Sequence, residues 1–316
     1  MNKNATEFDW HATDSGPEHY PMEIRDGTFY YKGQDDGLYI PAGPTLRSGW
    51  GEMRSTHVTG PKKKPLPDRF EVTFISYTEN QVYHGRFDLP YEKILALFRE
   101  ANVGNPDHPY YNGLMVGVAP GGAVSVWVKG ARIREVFFGQ ADKVNPDPSG
   151  KVRQPLDSND EKDAYAKSIL LDTLTPAEQD SLRKNGIPFG TWARYRNLYK
   201  WVPAYAAGRI PGEKEMIAQY LNGEHYRMPT ILSDEVANTP RPLPRDIQLS
   251  VMVGNTSEFY HIHFEEFELM DAFEKLGAHG EKVFLEFDAR VPTQTMKIRA
   301  YNDKESIELK KIRIEE

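Results

Sequence analysis

Apolar residues alternate with other residues along 69–77, where Phe70, Val72 and Phe74 occupy every second position. This period of two predicts a β-strand with one apolar face. A second strand-like run follows at 81–87, and a short polar segment separates the two. Such a segment between two strand patterns is typical of a hairpin turn. We therefore expect the two runs to form an antiparallel hairpin.

The pattern becomes helical directly after this hairpin. Asp88 is a candidate N-cap, and Pro90 falls in the first turn. Ile94, Leu95 and Phe98 then recur at helical spacing and predict one apolar face. Three later runs again have strand character, and they span 114–118, 123–128 and 133–138. This part of the chain therefore predicts strands, then a helix, then more strands.

The same pattern occurs twice. Residues 65–87 read PLPDRFEVTFISYTENQVYHGRF, and residues 242–264 read PLPRDIQLSVMVGNTSEFYHIHF. Each residue of the second copy lies 177 positions after its counterpart (242 − 65 = 177), and 6 of the 23 positions are identical. We interpret this match as a tandem duplication. It predicts that 65–128 and 242–301 share one order of strands.

The second copy is also followed by a helix and strands. The helix is predicted over 266–276 with Gly277 as its terminator, and the strands are predicted near 282–287, 295–301 and 306–312. Between the copies, Thr175-Pro176-Ala177-Glu178 has the residue types of a helix N-terminus, and Gly186 is a candidate end.

The domain organisation follows from these patterns. We expect a first unit over 1–157, a helical connector over 158–188 and a second unit over 189–316. The fold class is α+β, with two related units, each a mainly antiparallel sheet with a helix packed on one face.

Composition narrows the function classes. The 316 residues are 39% hydrophobic and 27% charged, which is typical of a globular protein. A formal charge of −7 argues against binding to the phosphates of nucleic acids. Since the chain contains no cysteine, thiol catalysis, disulfides and cysteine-ligated metals are excluded.

The opening residues MNKNATEFDW have no apolar signal region, and no run is long enough to predict membrane insertion. The cysteine that carries the lipid of a lipoprotein is also absent. We therefore expect the chain as given to be cytoplasmic, and periplasmic if a signal or lipid anchor has been removed from it.

A histidine-rich strand is the first candidate for chemistry. His261, His263 and Glu265 lie at i, i+2 and i+4, so a strand would place all three on one face, as a metal site requires. The first copy has Arg86 where the second has His263, and an arginine is tolerated on a solvated face but not at a ligand position. We therefore expect a polar face without metal or other cofactor.

Catalytic motifs are absent from the sequence. It contains no G-x-S-x-G elbow, no Walker loop and no H-E-x-x-H pair. We therefore expect no enzymatic activity.

Aromatic and arginine side chains are the candidates for binding a partner, because they bury a large area and keep a polar group. The predicted contact residues are Tyr110, Tyr111, Trp192, Arg194, Tyr195, Arg196, Tyr199 and Trp201. The same residue types would also serve packing between the two units, and that alternative stays open. Three predicted loops would carry the contact, at 102–113, 139–157 and 203–214.

Several motifs of the first copy resemble those of the proteobacterial family called domain of unknown function 2931. They are Leu66-Pro67 before a strand, a Ser76-x-x-Glu79 turn, a strand from Tyr83 to Phe87, and Leu89-Pro90 after it. The second copy keeps Leu243-Pro244 and the run from Tyr260 to Phe264, but Glu265-Glu266 replaces the second Leu-Pro.

The resemblance implies a function, because some relatives of this family are similar to immunity proteins encoded beside type VI secretion lipase effectors. It implies a non-enzymatic protein that binds and occludes a phospholipase or lipase toxin. Two alternatives remain: a metal-dependent hydrolase using His261 and His263, and a module that binds the cell envelope or carbohydrate.

Overall fold

The computed structural model shows a chain of mixed α+β composition, with more strand than helix. It divides into two compact units, Met1–Ala193 and Arg194–Glu316, called here the first and second unit. The structure describes residues 4–101, 108–144, 159–290 and 295–315.

The strands of the first unit are mostly short, with two of ten residues. They are β1 (Glu7–Phe8), β2 (His11–Ser15), β3 (Met22–Tyr31), β4 (Gly37–Tyr39), β5 (Thr56–His57), β6 (Lys64–Pro65), β7 (Pro67–Ser76), β8 (Gln81–Asp88), β9 (Tyr111–Ala119), β10 (Ala123–Gly130), β11 (Ile133–Gln140) and β12 (Asp142–Val144). The helices are α1 (Tyr91–Phe98), α2 (Asn159–Thr173) and α3 (Pro176–Asn185), followed by a single turn, α4 (Thr191–Arg194).

Two larger sheets and the two-stranded antiparallel pair β1–β6 form the first unit. One has the order β12-β8-β7-β3-β4 and is antiparallel throughout. The other has the order β11-β10-β9-β2-β5, with β2 parallel to β9. Side chains of both sheets and of α1 share one buried core. The prediction of a single sheet was therefore wrong, because alternation along a strand identifies its faces but not the sheet to which it belongs.

Helix α1 begins later than predicted. Asp88 is the last residue of β8, where it pairs with Arg69, and Pro90 stands at the N-cap without a side-chain cap. The predicted apolar face of α1 is confirmed, since Ile94, Leu95 and Phe98 are buried. The proposed N-cap role of Asp88 was wrong, because the ladder of β7 and β8 already uses this residue.

Helices α2 and α3 occupy the segment predicted to connect the units, and both fall within the first unit. Ala166 of α2 packs with Ile75 and Tyr77, which lie at the end of β7, and Val82 of β8 borders this cluster. Helix α2 therefore covers one end of the outer face of the first sheet.

Helix α3 has the predicted capping box. The Thr175 hydroxyl accepts a hydrogen bond from the Glu178 backbone N–H at 3.3 Å, and the Glu178 carboxylate accepts one from the Thr175 N–H at 2.7 Å. The helix ends at Gly186, whose φ of 70° suits glycine. Both predicted ends of this helix are confirmed.

The second unit has a similar set of strands. They are β13 (Lys200–Tyr205), β14 (Arg209–Pro211), β15 (Glu215–Tyr220), β16 (His225–Pro229), β17 (Pro244–Val253), β18 (Thr256–Phe264), β19 (Lys282–Arg290), β20 (Thr295–Tyr301), β21 (Ser306–Leu309) and β22 (Ile312–Glu315). Its helices are α5 (Asp234–Ala237) and α6 (Glu266–Leu276). Gly277 ends α6, as predicted.

The second unit also contains two sheets. The first has the order β22-β18-β17-β15-β16 and is antiparallel, with β14 paired to β17. The second has the order β13-β19-β20-β21, with β13 parallel to β19. Glu265, predicted on the histidine strand, instead caps α6. When the two units are compared, corresponding strands pair with corresponding strands. Hairpin β7–β8 corresponds to β17–β18, and the parallel pair β2–β9 corresponds to β13–β19.

A buried tryptophan binds the start of the repeated segment in each unit. Trp10 Nε1 donates a hydrogen bond to the Pro65 carbonyl at 3.1 Å, and Trp201 Nε1 donates one to the Pro242 carbonyl at 2.9 Å. Pro65 and Pro242 are the first residues of the two Pro-Leu-Pro motifs. The same contact therefore fixes the same motif in both units.

A cation also lies beside each indole ring. Lys64 Nζ is 5.7 Å from the Trp10 ring centroid, and Arg241 Cζ is 5.7 Å from the Trp201 ring centroid. Both cations directly precede their Pro-Leu-Pro motif, and both are largely buried. This arrangement adds a cation–π attraction to the hydrogen bond.

Replacing Trp201 by phenylalanine tests the tryptophan contact. An aromatic ring is retained, but the N–H-bearing part of the indole is lost and the buried Pro242 carbonyl loses its donor, so the free energy of unfolding should fall by at least about 1–3 kcal/mol. Urea denaturation of Trp201→Phe and of Trp10→Phe would measure the loss, with the exposed Tyr39→Phe as control. Losses equal to that of the control would contradict a stabilising role for the indole N–H.

The capping carboxylate of α3 predicts a dependence of stability on pH. Burial alone would raise the pKa of Glu178, but hydrogen bonds from Thr175 and His19 and the charge of Arg47 outweigh it and lower the pKa from 4.5 to about 2. Because the pKa is lower in the folded state, the stabilisation is present above about pH 4.5 and is lost as the pH falls towards 2.

We expect Glu178→Gln to reduce the free energy of unfolding by about 1 kcal/mol at neutral pH, the usual value of a cap. The difference from the wild type should shrink between about pH 4.5 and 2, because the wild-type carboxylate is then protonated. Denaturation monitored by circular dichroism at several pH values measures this. Glu92→Gln, at a side chain that is 80% exposed, is the control. A difference that does not change with pH would refute the assignment.

Candidate functional site

Four of the eight predicted contact residues are buried within their own unit, and they are Tyr111, Trp192, Tyr195 and Trp201. The Trp192 ring packs edge-on against Tyr20, with ring centroids 5.8 Å apart. The Tyr195 hydroxyl bonds the Glu266 carboxylate at 2.5 Å. These side chains stabilise their units and are not available to a partner.

The other four are partly or fully exposed. Tyr110 lies 4.1 Å below the Arg132 guanidinium, and Arg194 donates to Glu274 at 2.9 Å. Tyr199 packs against a phenylalanine of α6. Arg196 is exposed, and for it partner contact stays a prediction.

The three predicted contact loops are only partly described by the structure or only partly loops. Of 102–113 and 139–157, the parts 102–107 and 145–157 lie outside the described residues. The segment 203–214 is not a loop throughout, because it includes the end of β13 and the whole of β14.

The motif Ser76-x-x-Glu79 has a structural role in the first unit. Glu79 accepts hydrogen bonds through one oxygen from the Tyr83 hydroxyl at 2.7 Å and through the other from the Gly121 N–H at 2.8 Å. Gly121 has a φ of 77° and lies in the turn between β9 and β10, which belong to the second sheet. Glu79 therefore joins a hairpin of one sheet to a hairpin of the other.

The hairpin β17–β18 is shorter at its turn than β7–β8. Residues 77–80 separate the last paired residues of the first hairpin, whereas Gly254-Asn255 alone separate those of the second. Arg86 consequently pairs with Glu71, while its counterpart His263 pairs with Asp246 rather than with the counterpart of Glu71. The register has shifted by two residues, which preserves the faces but changes the cross-strand partners.

This shift assembles two imidazoles and a carboxylate on the outer face of the second unit. The rings of His261 and His263 have centroids 4.1 Å apart. One ligand atom from each of Asp246, His261 and His263 lies within 4.8 Å of the others. Sequence analysis identified the histidines but missed Asp246, whose position depends on the register of the hairpin.

The electrostatics of this group involve two further strands. Glu315 of β22 lies beside both histidines, and Arg245 donates to Asp246 Oδ2 at 2.7 Å. Burial and the neighbouring His263 lower the pKa of His261.

An apolar patch lies at the other end of the same face. Ile210 of β14 is 62% exposed and pairs with Met252, and Phe259 of β18 is 51% exposed. Met252 and Phe259 lie 177 positions after Ile75 and Val82. Ile75 and Val82 pack against α2, and Ile75 is only 8% exposed. By contrast, Ile210 and Phe259 are more than half exposed to solvent.

The Glu79 contact leads to a prediction for the first unit. Glu79→Ala should lower the free energy of unfolding by about 1–3 kcal/mol, because it leaves the Tyr83 hydroxyl and the Gly121 N–H without their acceptor. A double-mutant cycle with Tyr83→Phe should give a coupling of at least 0.5 kcal/mol. Additive effects of the two substitutions would show that Glu79 and Tyr83 act independently.

No helix in the described part of the chain is long and apolar enough to cross a membrane. No curated protein and no solved structure matches the chain significantly. A family model described as a protein of unknown function, DUF2931, matches residues 1–190, which is more than half of the chain and nearly all of the first unit. The second unit lies outside the match. On this match, the chain belongs to the DUF2931 family.

Proposed function

We propose that this protein is a non-enzymatic binding protein whose contact surface includes the apolar patch of the second unit. The observation that carries the proposal is the exposure of Ile210 and Phe259 on an ordered sheet face. Exposed apolar groups that cluster on a rigid surface are typical of protein-binding sites. The patch lies on strands rather than on loops, so little ordering is required on binding.

The relation between the units supports this surface. We infer that the units are copies of one ancestral domain, because the strand neighbours and the tryptophan contact are the same in both. In the first copy α2 covers Ile75 and Val82. A partner segment with an apolar face would cover Met252 and Phe259 in the same way in the second copy.

The class of partner follows from the family resemblance. Some relatives of the family are similar to immunity proteins encoded beside type VI secretion lipase effectors, and this likeness supports a co-encoded phospholipase or lipase toxin as the partner. The protein would act as an immunity protein that occludes the toxin. Tight neutralisation requires nanomolar binding, about −12 kcal/mol, and an interface near ~1,600 Å². The patch would be the apolar centre of a larger contact.

Charge-introducing variants test the surface. We expect Phe259→Asp and Ile210→Asp each to weaken binding to the co-encoded lipase at least tenfold, because each places a carboxylate in an apolar contact. Ile231→Asp is the matched control, since Ile231 is 72% exposed in the same unit and lies outside the predicted contact residues. Binding measured by calorimetry should be unchanged for the control. Equal effects of all three variants would place the contact elsewhere.

Titration of the lipase tests occlusion. Activity should fall to zero at a fixed, near-integer ratio of this protein to lipase and should not change with incubation time. Inhibition that grows with time at substoichiometric amounts would show that the lipase is being modified, and would overturn the binding proposal.

A further inference from the structure

Three adjacent strands of the second unit bring polar side chains to one place on the sheet. Strand β17 supplies Asp246, β18 supplies His261 and His263, and β22 supplies Glu315. In the ladder His263 pairs with Asp246, and His261 pairs with Glu315. The group is therefore fixed by backbone pairing across three strands and does not depend on a loop.

His263 is held by one ring nitrogen and leaves the other without a hydrogen bond. Its Nδ1 contacts Asp246 Oδ1, so the tautomer protonated at Nδ1 donates to the carboxylate. Its Nε2 is buried and has no hydrogen-bond partner among the described residues. A buried polar atom without a partner is costly and uncommon in proteins. The unused lone pair on Nε2 is available to a ligand.

The atoms around this nitrogen have the spacing of metal ligands. Glu315 Oε2 lies 3.5 Å from His263 Nε2 and 3.9 Å from His261 Nδ1. Ligand atoms around a tetrahedral zinc ion are about 3.3 Å apart, given zinc–ligand distances near 2.0 Å. Both distances are close to this spacing, so a small rotation of the Glu315 side chain would bring its oxygen beside an ion bound by the imidazoles.

We propose that His261, His263 and Glu315 bind a divalent cation of the zinc class, and that Asp246 orients His263. Two imidazole nitrogens and one carboxylate oxygen are a ligand set that zinc accepts, with water in the fourth position. A carboxylate bonded to the far nitrogen of a ligating histidine is the usual supporting contact. The histidine side chains are 25% and 21% exposed, so an ion can enter from solvent.

Two arginines fix the carboxylates in this arrangement. Arg245 Nε donates to Asp246 Oδ2 at 2.7 Å, and Arg313 donates to Glu315 Oε1. Each carboxylate therefore uses one oxygen on an arginine and turns the other towards a histidine. The arginines position the ligands and occupy the oxygens that the ion does not need.

The first unit shows why sequence comparison favoured a face without metal. His84, the counterpart of His261, bonds the Thr73 hydroxyl at 3.0 Å and lies 3.5 Å from Glu71. Arg86 replaces the second histidine and contacts Glu71. The first copy has therefore kept an ion-paired surface. In the second copy the shifted register and β22 supply the carboxylates that the comparison did not include.

Zinc binding to the untagged full chain tests the proposal. After treatment with a chelator, the protein should bind one equivalent of Zn²⁺ in a titration against a chromophoric competitor. His261→Ala, His263→Ala and Glu315→Gln should each weaken binding more than 100-fold. Asp246→Asn, which disturbs only the orientation of His263, should weaken it about 10–100-fold. His84→Ala is the matched control and should bind as the wild type does.

Circular dichroism without metal shows whether each variant is folded. If the alanine variants unfold, a double variant with His261→Gln and His263→Gln replaces them. Absence of saturable Zn²⁺ binding in the wild type would overturn the proposal. Binding of one equivalent of Zn²⁺ by the double glutamine variant, with unchanged affinity, would also overturn it. Loss of binding in Asp246→Asn with full binding in Glu315→Gln would overturn the assignment of their roles. None of these readouts depends on the lipase, so the metal site and the proposed function can fail separately.

Discussion

The hydrogen bond from a buried tryptophan to the first Pro-Leu-Pro carbonyl fixes the starting point of each repeated hairpin. Trp10, just before β2, and Trp201, on β13, make this bond to residues that lie 55 and 41 positions later in the chain. Proline has no backbone N–H to donate, so its carbonyl is the backbone group through which the first residue of each motif can be held, and the indole N–H binds this carbonyl. The bond therefore holds the segment that leads into the first strand of each hairpin.

The two hairpins begin alike but differ in the number of residues in the turn between their strands. A turn that is two residues shorter changes every cross-strand pair and leaves the inward faces intact. The buried residues of the two copies can therefore stay alike while the outer faces acquire different chemistry. Glu71 meets Arg86 in the first unit, whereas Asp246 meets His263 in the second. Two units with the same order of strands can in this way carry different outer surfaces.

Local patterns in the sequence predicted the hairpins, helices α1 and α6, the α3 capping box and the glycine at the end of α6, because each of these features depends on residues close in sequence. The assignment of hairpins to separate sheets was not predictable, since no local pattern encodes it. For the same reason, the sequence left open whether Trp192 and Trp201 contact a partner or serve packing, and the structure shows both to be buried. Asp246 was missed because its proximity to His263 depends on a turn length that alters register.

The outer face of the second unit combines the two features that the first unit lacks. In the first unit α2 covers the apolar end, and ion pairs of Glu71 with His84 and Arg86 occupy the rest. In the second unit the corresponding apolar end is open and the polar end carries the histidine group. An ion held between β18 and β22 would stiffen the strand that presents Phe259. Because a rigid surface loses less entropy on association, such a site would favour tight binding by the neighbouring patch. The two proposals thus describe one face of one sheet, on which the first copy retains its own helix and the second is open to a partner.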